Sequence, residues 1–236
     1  MNVKKTAVKI FRTFFPKKTK KNYGLKDEVR EWAVSFVVAA VVYFVVLPAI
    51  LGSSSPMVIV SSCSEKGYYN IGDILVIQGT NITNVKAPLA EISSFSEVSP
   101  VIENNKISAI NVNGRIISAN DSNDVVVYYA TPSGAQIIHR AMALLKRGGD
   151  YYLMTKGDAN PIPDQYGVYN NTVMTCVDDN PGVCLSTLIT QKKLVGKKTL
   201  VQVPLLGHVK LFFCDVLPLC EGHSNMGTNY EYKLTC

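Results

Sequence analysis

From Trp32 to Leu51 the chain reads WAVSFVVAAVVYFVVLPAIL, twenty residues without a charge. At a helical rise of about 1.5 Å per residue the run covers about 30 Å, the thickness of a bilayer's hydrocarbon core, and so predicts a membrane-spanning helix over residues 31–52. It is longer than the apolar stretch of a cleaved signal peptide and follows some thirty polar and basic residues, which argues against its being a leader. Beyond it the pattern changes. The runs Met57–Val60, Asp73–Ile77, Ile107–Ile117, Val125–Tyr129, Ala135–His139, Tyr151–Met154 and Leu200–Val203 are β-branched or aromatic, and Gly, Asn, Asp or Pro separates them. They predict a mainly β domain over residues 53–236. One helix-like stretch, Arg140–Lys146, interrupts the strand pattern. The polar, Asn-rich segment 79–123 reads as an insertion with its own hairpin, turning at Asn113-Gly114.

Charge refines this division. The 236 residues carry a net charge of +6, but residues 1–30 alone hold ten Lys/Arg against Asp27 and Glu28, and the remainder is slightly acidic. The basicity therefore belongs to an arm, whereas a nucleic-acid-binding domain needs it on the folded body. No nucleic-acid partner is expected. Lys/Arg beside a span stay on the cytoplasmic side, so the arm is expected in the cytosol and the β domain outside the cell or in a lumen. The stretch Val8–Phe15 with Lys17, Lys18, Lys20 and Lys21 reads either as an amphipathic segment drawn to anionic head groups or as a disordered basic arm.

The six cysteines agree with an oxidising compartment, since Cys176 with Cys184 and Cys214 with Cys220 lie close enough in sequence to close small disulfide loops. No CxxC pair occurs, and His139, His208 and His223 are not grouped with cysteines at ligand spacing, so no metal and no cofactor is expected. Asn-x-Ser/Thr sequons begin at Asn81, Asn120 and Asn170, all beyond the span.

Candidate chemistry starts just after the membrane. Ser61–Ser64 (SSCS) follows the apolar run MVIV and precedes Gly72-Asp73. Serine needs a base within hydrogen-bond reach and a carboxylate to orient that base. His139, at the end of an apolar strand, is the candidate base, and Asp158 and Asp164 in TKGDANPIPD are the candidate acids. Taken singly, each has a plainer reading: a solvated linker for the serines, a structural histidine, and turn-forming acids.

Taken together they resemble a family. His139-Arg140, then Thr155-Lys156-Gly157-Asp158-x-Asn160 and Asp164, is similar to the endoplasmic-reticulum and archaeal branch of type I signal peptidases. Ser64 stands eight residues before Gly72-Asp73, as the nucleophile does in that family, and Asp124–Tyr128 and Val203–Gly207 resemble further segments. The likeness covers about Ile50 to Gly207. It implies a membrane-bound serine endopeptidase that removes signal peptides after small residues, with Ser64 as nucleophile, His139 as general base, Asp164 as the triad acid, and Asp158 supporting the loop or the histidine. Lys156 is a minor alternative base, since it would need desolvation to lose its proton. The substrate is expected to lie extended beside Met57, Ile59, Ser61, Ser62 and Ile137. Expected partners are signal peptides of preproteins, the lipid bilayer and other membrane subunits. Two positions depart from the family: Glu65 stands where Met is usual and Gly67 where Pro is usual. These favour a second expectation, a catalytically silent, membrane-tethered protein that binds signal peptides or assembles a complex. A self-cleaving repressor-like protease is disfavoured, because it calls for a DNA-binding N-terminus and a catalytic lysine.

Overall fold

The computed structural model describes residues 24–65, 67–104, 106–130, 134–169, 172–174 and 187–209. The expected disulfide loops at Cys176/Cys184 and Cys214/Cys220, the sequon at Asn170 and the arm before Gly24 lie outside them. The chain divides into two units, one ending at Val46 and one beginning at Leu47.

The first unit is helical. A continuous helix, α1, runs from Leu25 to Leu51 with mean hydropathy 2.7 and none of its apolar window buried. It is long and apolar enough to cross a membrane. It starts earlier than the uncharged run, because Asp27 and Glu28 occupy its first turn, where carboxylates complement the exposed N–H groups. Val42–Val46 widens into a π turn just before Pro48. Proline has no N–H to donate and its ring crowds the carbonyl four residues back, so the ladder shifts register ahead of it. The last turn belongs to the second unit: the Gly79 N–H donates to the Leu51 carbonyl at 2.8 Å.

The second unit is mainly β, as expected. Its main sheet has the order β1 (Met57–Ile59), β2 (Ile74–Gln78), β12 (Leu194–Val203), β7 (Val125–Tyr129), β8 (Gln136–Arg147), β3 (Leu89–Glu91), with β9 (Asp150–Lys156) also on β8. Strands β4 (Val98–Glu103), β5 (Lys106–Val112) and β6 (Arg115–Ser118) form a second sheet, and β10 (Gly167–Tyr169) pairs with β11 (Thr172–Met174).

The organising element is β8. Its first half pairs with β7, from Tyr129↔Gln136 to Val125↔Arg140, and its second half pairs with β9 on one edge and β3 on the other. The helix-like reading of Arg140–Lys146 is thereby corrected. Ala, Met and Leu favour helices in isolation, but here Ala141, Met142, Ala143 and Leu145 are fully buried within a strand flanked on both sides. A strand covered on both faces shows no polar alternation to announce it.

The expected hairpin is present. Val112 pairs with Arg115 across Asn113 (φ 52°) and Gly114 (φ 85°), the two positive-φ positions that a tight two-residue turn requires. The insertion that carries it is no solvated excursion. Phe95, Ile107, Ile110 and Ile117 pack against Met142, Leu145, Met154 and Leu188 of the main body. Each such side chain contributes about 1.5–3 kcal/mol through burial.

Candidate active site

The acid and the imidazole are brought together by β8 and the loop after β9. His139, next to Arg140, where β8 pairs with both β7 and β9, is 6% exposed. Its Nδ1 lies 2.6 Å from Asp164 Oδ2. Asp164 is held by its own N–H donating to the Thr155 carbonyl at 2.9 Å. The same Oδ2 accepts from Tyr128 Oη at 2.7 Å and Thr155 Oγ1 at 2.6 Å. Three hydrogen bonds on one oxygen fix the carboxyl group and aim it at the ring. Burial and the neighbouring Asp164 charge hold the Tyr128 phenol well above its ordinary range, so it remains a donor throughout the physiological range.

Asp158 has another partner. Its two oxygens receive Arg140 Nε at 2.8 Å and Nη2 at 2.7 Å, a bidentate pair with the arginine side chain 4% and the aspartate 12% exposed. Arg140 also donates to the carbonyls of Asp121 and Asn123 and stacks over the Tyr68 ring at 4.7 Å. Of the two expected supports, Asp158 therefore braces the loop and Asp164 serves the histidine. Side chains alternate along a strand, so adjacent His139 and Arg140 turn to opposite faces and recruit one acid each.

The serine loop is tied to the same structure. The Ala159 N–H donates to the Ser64 carbonyl at 2.8 Å. Gly157 sits so close that a Cβ there would lie 2.8 Å from that carbonyl oxygen and 2.7 Å from Asn160 Nδ2. Ser64 Oγ lies 3.1 Å from Ser62 Oγ. Among the described residues no direct hydrogen bond joins Ser64 to His139; Ser64 is bonded to Ser62 and His139 to Asp164. Cys63, between the two serines, is disulfide-bonded.

The far end of the loop is fixed by Gly72-Asp73. Gly72 (φ 86°) donates to the Val60 carbonyl and accepts from the Gly207 N–H, both at 2.8 Å. Fully buried Asp73 accepts from the Asn70 N–H, Gln202 Nε2 and the Leu205 N–H. Two segments far apart in sequence, 64–73 and 202–207, are thus one structure. Gly67 has φ 102°, a conformation that proline's ring cannot adopt, so this turn is built differently from one carrying Pro.

Of the expected substrate contacts, Met57, Ile59 and Ser61 alternate with the core residues Val58 and Val60 and are half-buried, as are Ser62 and Ile137. Ile137 packs partly against the cluster of Val126, Leu144 and Leu153. Lys156, opposite Arg140, places Nζ 3.4 Å from the Gly157 carbonyl, and burial pulls its pKa below the usual lysine range. No group of metal-binding side chains occurs among the described residues.

No family model matches the chain, and no curated protein matches it. Sequence reasoning missed Tyr128 and Thr155 as partners of Asp164, and Arg140 as the partner of Asp158. Arg140 carried a signal: a guanidinium inside an apolar strand needs a counter-charge, and an aspartate lay within one hairpin of it.

Proposed function

We propose that the chain is a membrane-anchored serine endopeptidase of the signal-peptidase type, acting on the C-terminal end of signal peptides. The observation that carries the reading is the buried His139–Asp164 pair at 2.6 Å, with the aspartate oxygen triply bonded by Tyr128, Thr155 and the imidazole. A carboxylate so fixed sets the tautomer in which Nε2 accepts a proton, which is what a general base toward a serine hydroxyl requires.

The steps follow from that arrangement. Ser64 loses its proton to His139 as its oxygen attacks the scissile carbonyl. The imidazolium, stabilised by Asp164, returns the proton to the leaving amine, and water repeats the cycle on the acyl-enzyme. Backbone N–H groups around Ser64 and the Ser62 hydroxyl stabilise the oxyanion. The substrate strand is taken up between β1 and the first half of β8. Each has an edge that pairs with no other strand among the described residues, and β-addition at such an edge satisfies the backbone while alternate side chains are read.

The basic residues before α1 favour a cytoplasmic N-terminus and a catalytic unit on the opposite side of the membrane. Ser64 follows Leu51 by thirteen residues, a tether of at most about 45 Å, which suits a substrate whose own apolar segment stays in the bilayer.

The silent, peptide-binding alternative is favoured by one observation, the Ser64 hydroxyl bonded to Ser62 rather than to His139. Incubation of the detergent-solubilised protein with a preprotein separates the two. We expect mature product from the unmutated chain and a loss of about 10³-fold or more in Ser64→Ala and His139→Ala, with Lys156→Met within a few-fold of the unmutated rate. Equal cleavage by Ser64→Ala excludes the protease assignment, and peptide binding without product from any variant selects the silent one.

A further inference from the structure

Glu65, directly after Ser64, is 1% exposed. Neither of its carboxyl oxygens finds a well-placed hydrogen-bond donor among the described residues. What faces it is the side chain and backbone of Asp158, with the Arg140 guanidinium behind. That guanidinium already spends Nε and Nη2 on Asp158 and Nη1 on two carbonyls. A second buried carboxylate beside Asp158 would therefore face a like charge, offset only in part by the Arg140 guanidinium and the Asp158 backbone. A proton on Glu65 removes the repulsion and turns one of two acceptors into a donor.

The position matters because Glu65 leads into the turn that ends the serine loop. Its carbonyl accepts from the N–H groups of Tyr68 and Tyr69, both at 3.2 Å, and the Ser64 carbonyl accepts from Ala159, next to Asp158. A bond from the Glu65 side chain to Asp158 would close this bracket a second time.

We infer that Glu65 is a neutral carboxylic acid that donates to Asp158 and positions the Ser64 loop, so that its ionisation in alkali releases the loop. The inference deepens the protease reading and rests on Ser64 as nucleophile. Burial first, then the Asp158 charge, push the Glu65 carboxyl up to about 9. Among the described residues the other ionisable groups around it are Arg140, Lys156, Tyr68, Tyr69 and Tyr128. Burial pushes Tyr69 up to about 12, and Tyr128 is raised too, so neither phenol ionises before Glu65. Lys156 is lowered by burial, and the charges of Asp158, Asp164 and Glu65 oppose that shift.

The sign of the linkage provides a test independent of turnover. An acid whose folded pKa is raised keeps its proton in the native state while the unfolded chain has lost it. Stability from this group is greatest below about pH 4.5 and falls as pH rises toward 9. Glu65→Gln retains a neutral donor and lacks that slope. Thermal melts of the full-length protein in detergent should show Glu65→Gln more stable than the unmutated chain at about pH 8.5, the gap shrinking as pH is lowered to about 5.

Turnover gives the positioning readout. The unmutated enzyme is expected to lose kcat along a one-proton limb near pH 9, with KM little changed, and Glu65→Gln to lack that limb. Glu65→Leu, which fills the site without a donor, should lower kcat about tenfold at neutral pH, and the glutamine variant should restore it. A pH-independent stability gap, or the same alkaline limb in Glu65→Gln, overturns the inference. Absence of turnover in every variant, with the pH-dependent gap intact, overturns the protease reading and leaves the Glu65 proton in place.

Discussion

Asp158 and Asp164 lie six positions apart in one loop and look alike in the sequence, yet they meet different partners. Asp164 lies against His139 with two hydroxyl donors, whereas Asp158 neutralises Arg140, whose side chain is 4% exposed. The two neutralising substitutions should therefore separate catalysis from stability. Asp164→Asn keeps the shape but removes the charge that supports an imidazolium, and turnover should fall by about 10³–10⁴-fold with the urea midpoint little changed. Asp158→Asn leaves a buried guanidinium unmatched and should cost about 3–5 kcal/mol in urea unfolding. Comparable stability losses in both would mean that Asp164, too, is a structural anion. The candidate serine, histidine and acids were picked out by the resemblance to a family, since each taken singly has a plainer reading. Which acid met which side chain was not legible, because that choice depends on the face of β8 each one meets.

At the scale of elements, most strands were readable where one face is buried, since alternation survives there. In β1, Val58 and Val60 are buried while Met57 and Ile59 are half-exposed. β8 was legible only to His139. Past that residue it is covered on both faces, and composition took over from periodicity. The partner of β8 in β3, Leu89–Glu91, has three residues and no pattern of its own, so only pairing with Leu144–Lys146 makes it a strand. The insertion also joins the core, since Ile107 and Ile110 are fully buried. Close approach of two loops is also invisible in sequence, although Gly157 marks it. A methyl group there meets the Ser64 carbonyl, which belongs to backbone and cannot swing aside. Gly157→Ala is expected to displace the serine loop by a fraction of an ångström. It should lower kcat/KM by about 10²-fold, with a thermal midpoint within a few degrees of the unmutated chain. An alanine variant with full activity would show that the serine loop tolerates movement the catalytic reading forbids.

For the whole molecule, the sequence gives a span and a charge bias, and the helix Leu25–Leu51 supplies the length. Orientation is the part that chemistry can report. If the residues beyond Gly52 enter an oxidising lumen, the sequons at Asn81 and Asn120 become acceptors for oligosaccharyl transfer, provided their side chains are reachable. Both residues are exposed. Asn81 caps a short 3₁₀ turn and accepts from the backbone and hydroxyl of Thr83, and Asn120 accepts from the Ser122 N–H, so each sits in a surface turn outside the strands. Translation of the full chain with endoplasmic-reticulum microsomes should give slower-migrating forms that collapse on glycosidase treatment. Asn81→Gln and Asn120→Gln should each remove one step. In that orientation the basic arm should meanwhile remain open to trypsin added outside the vesicles, as the rule that Lys/Arg beside a span stay cytosolic predicts. Unmodified protein that trypsin digests beyond the helix would place the β unit in the cytosol. His139 and Asp164 would then lie on the wrong side of the membrane to process exported proteins.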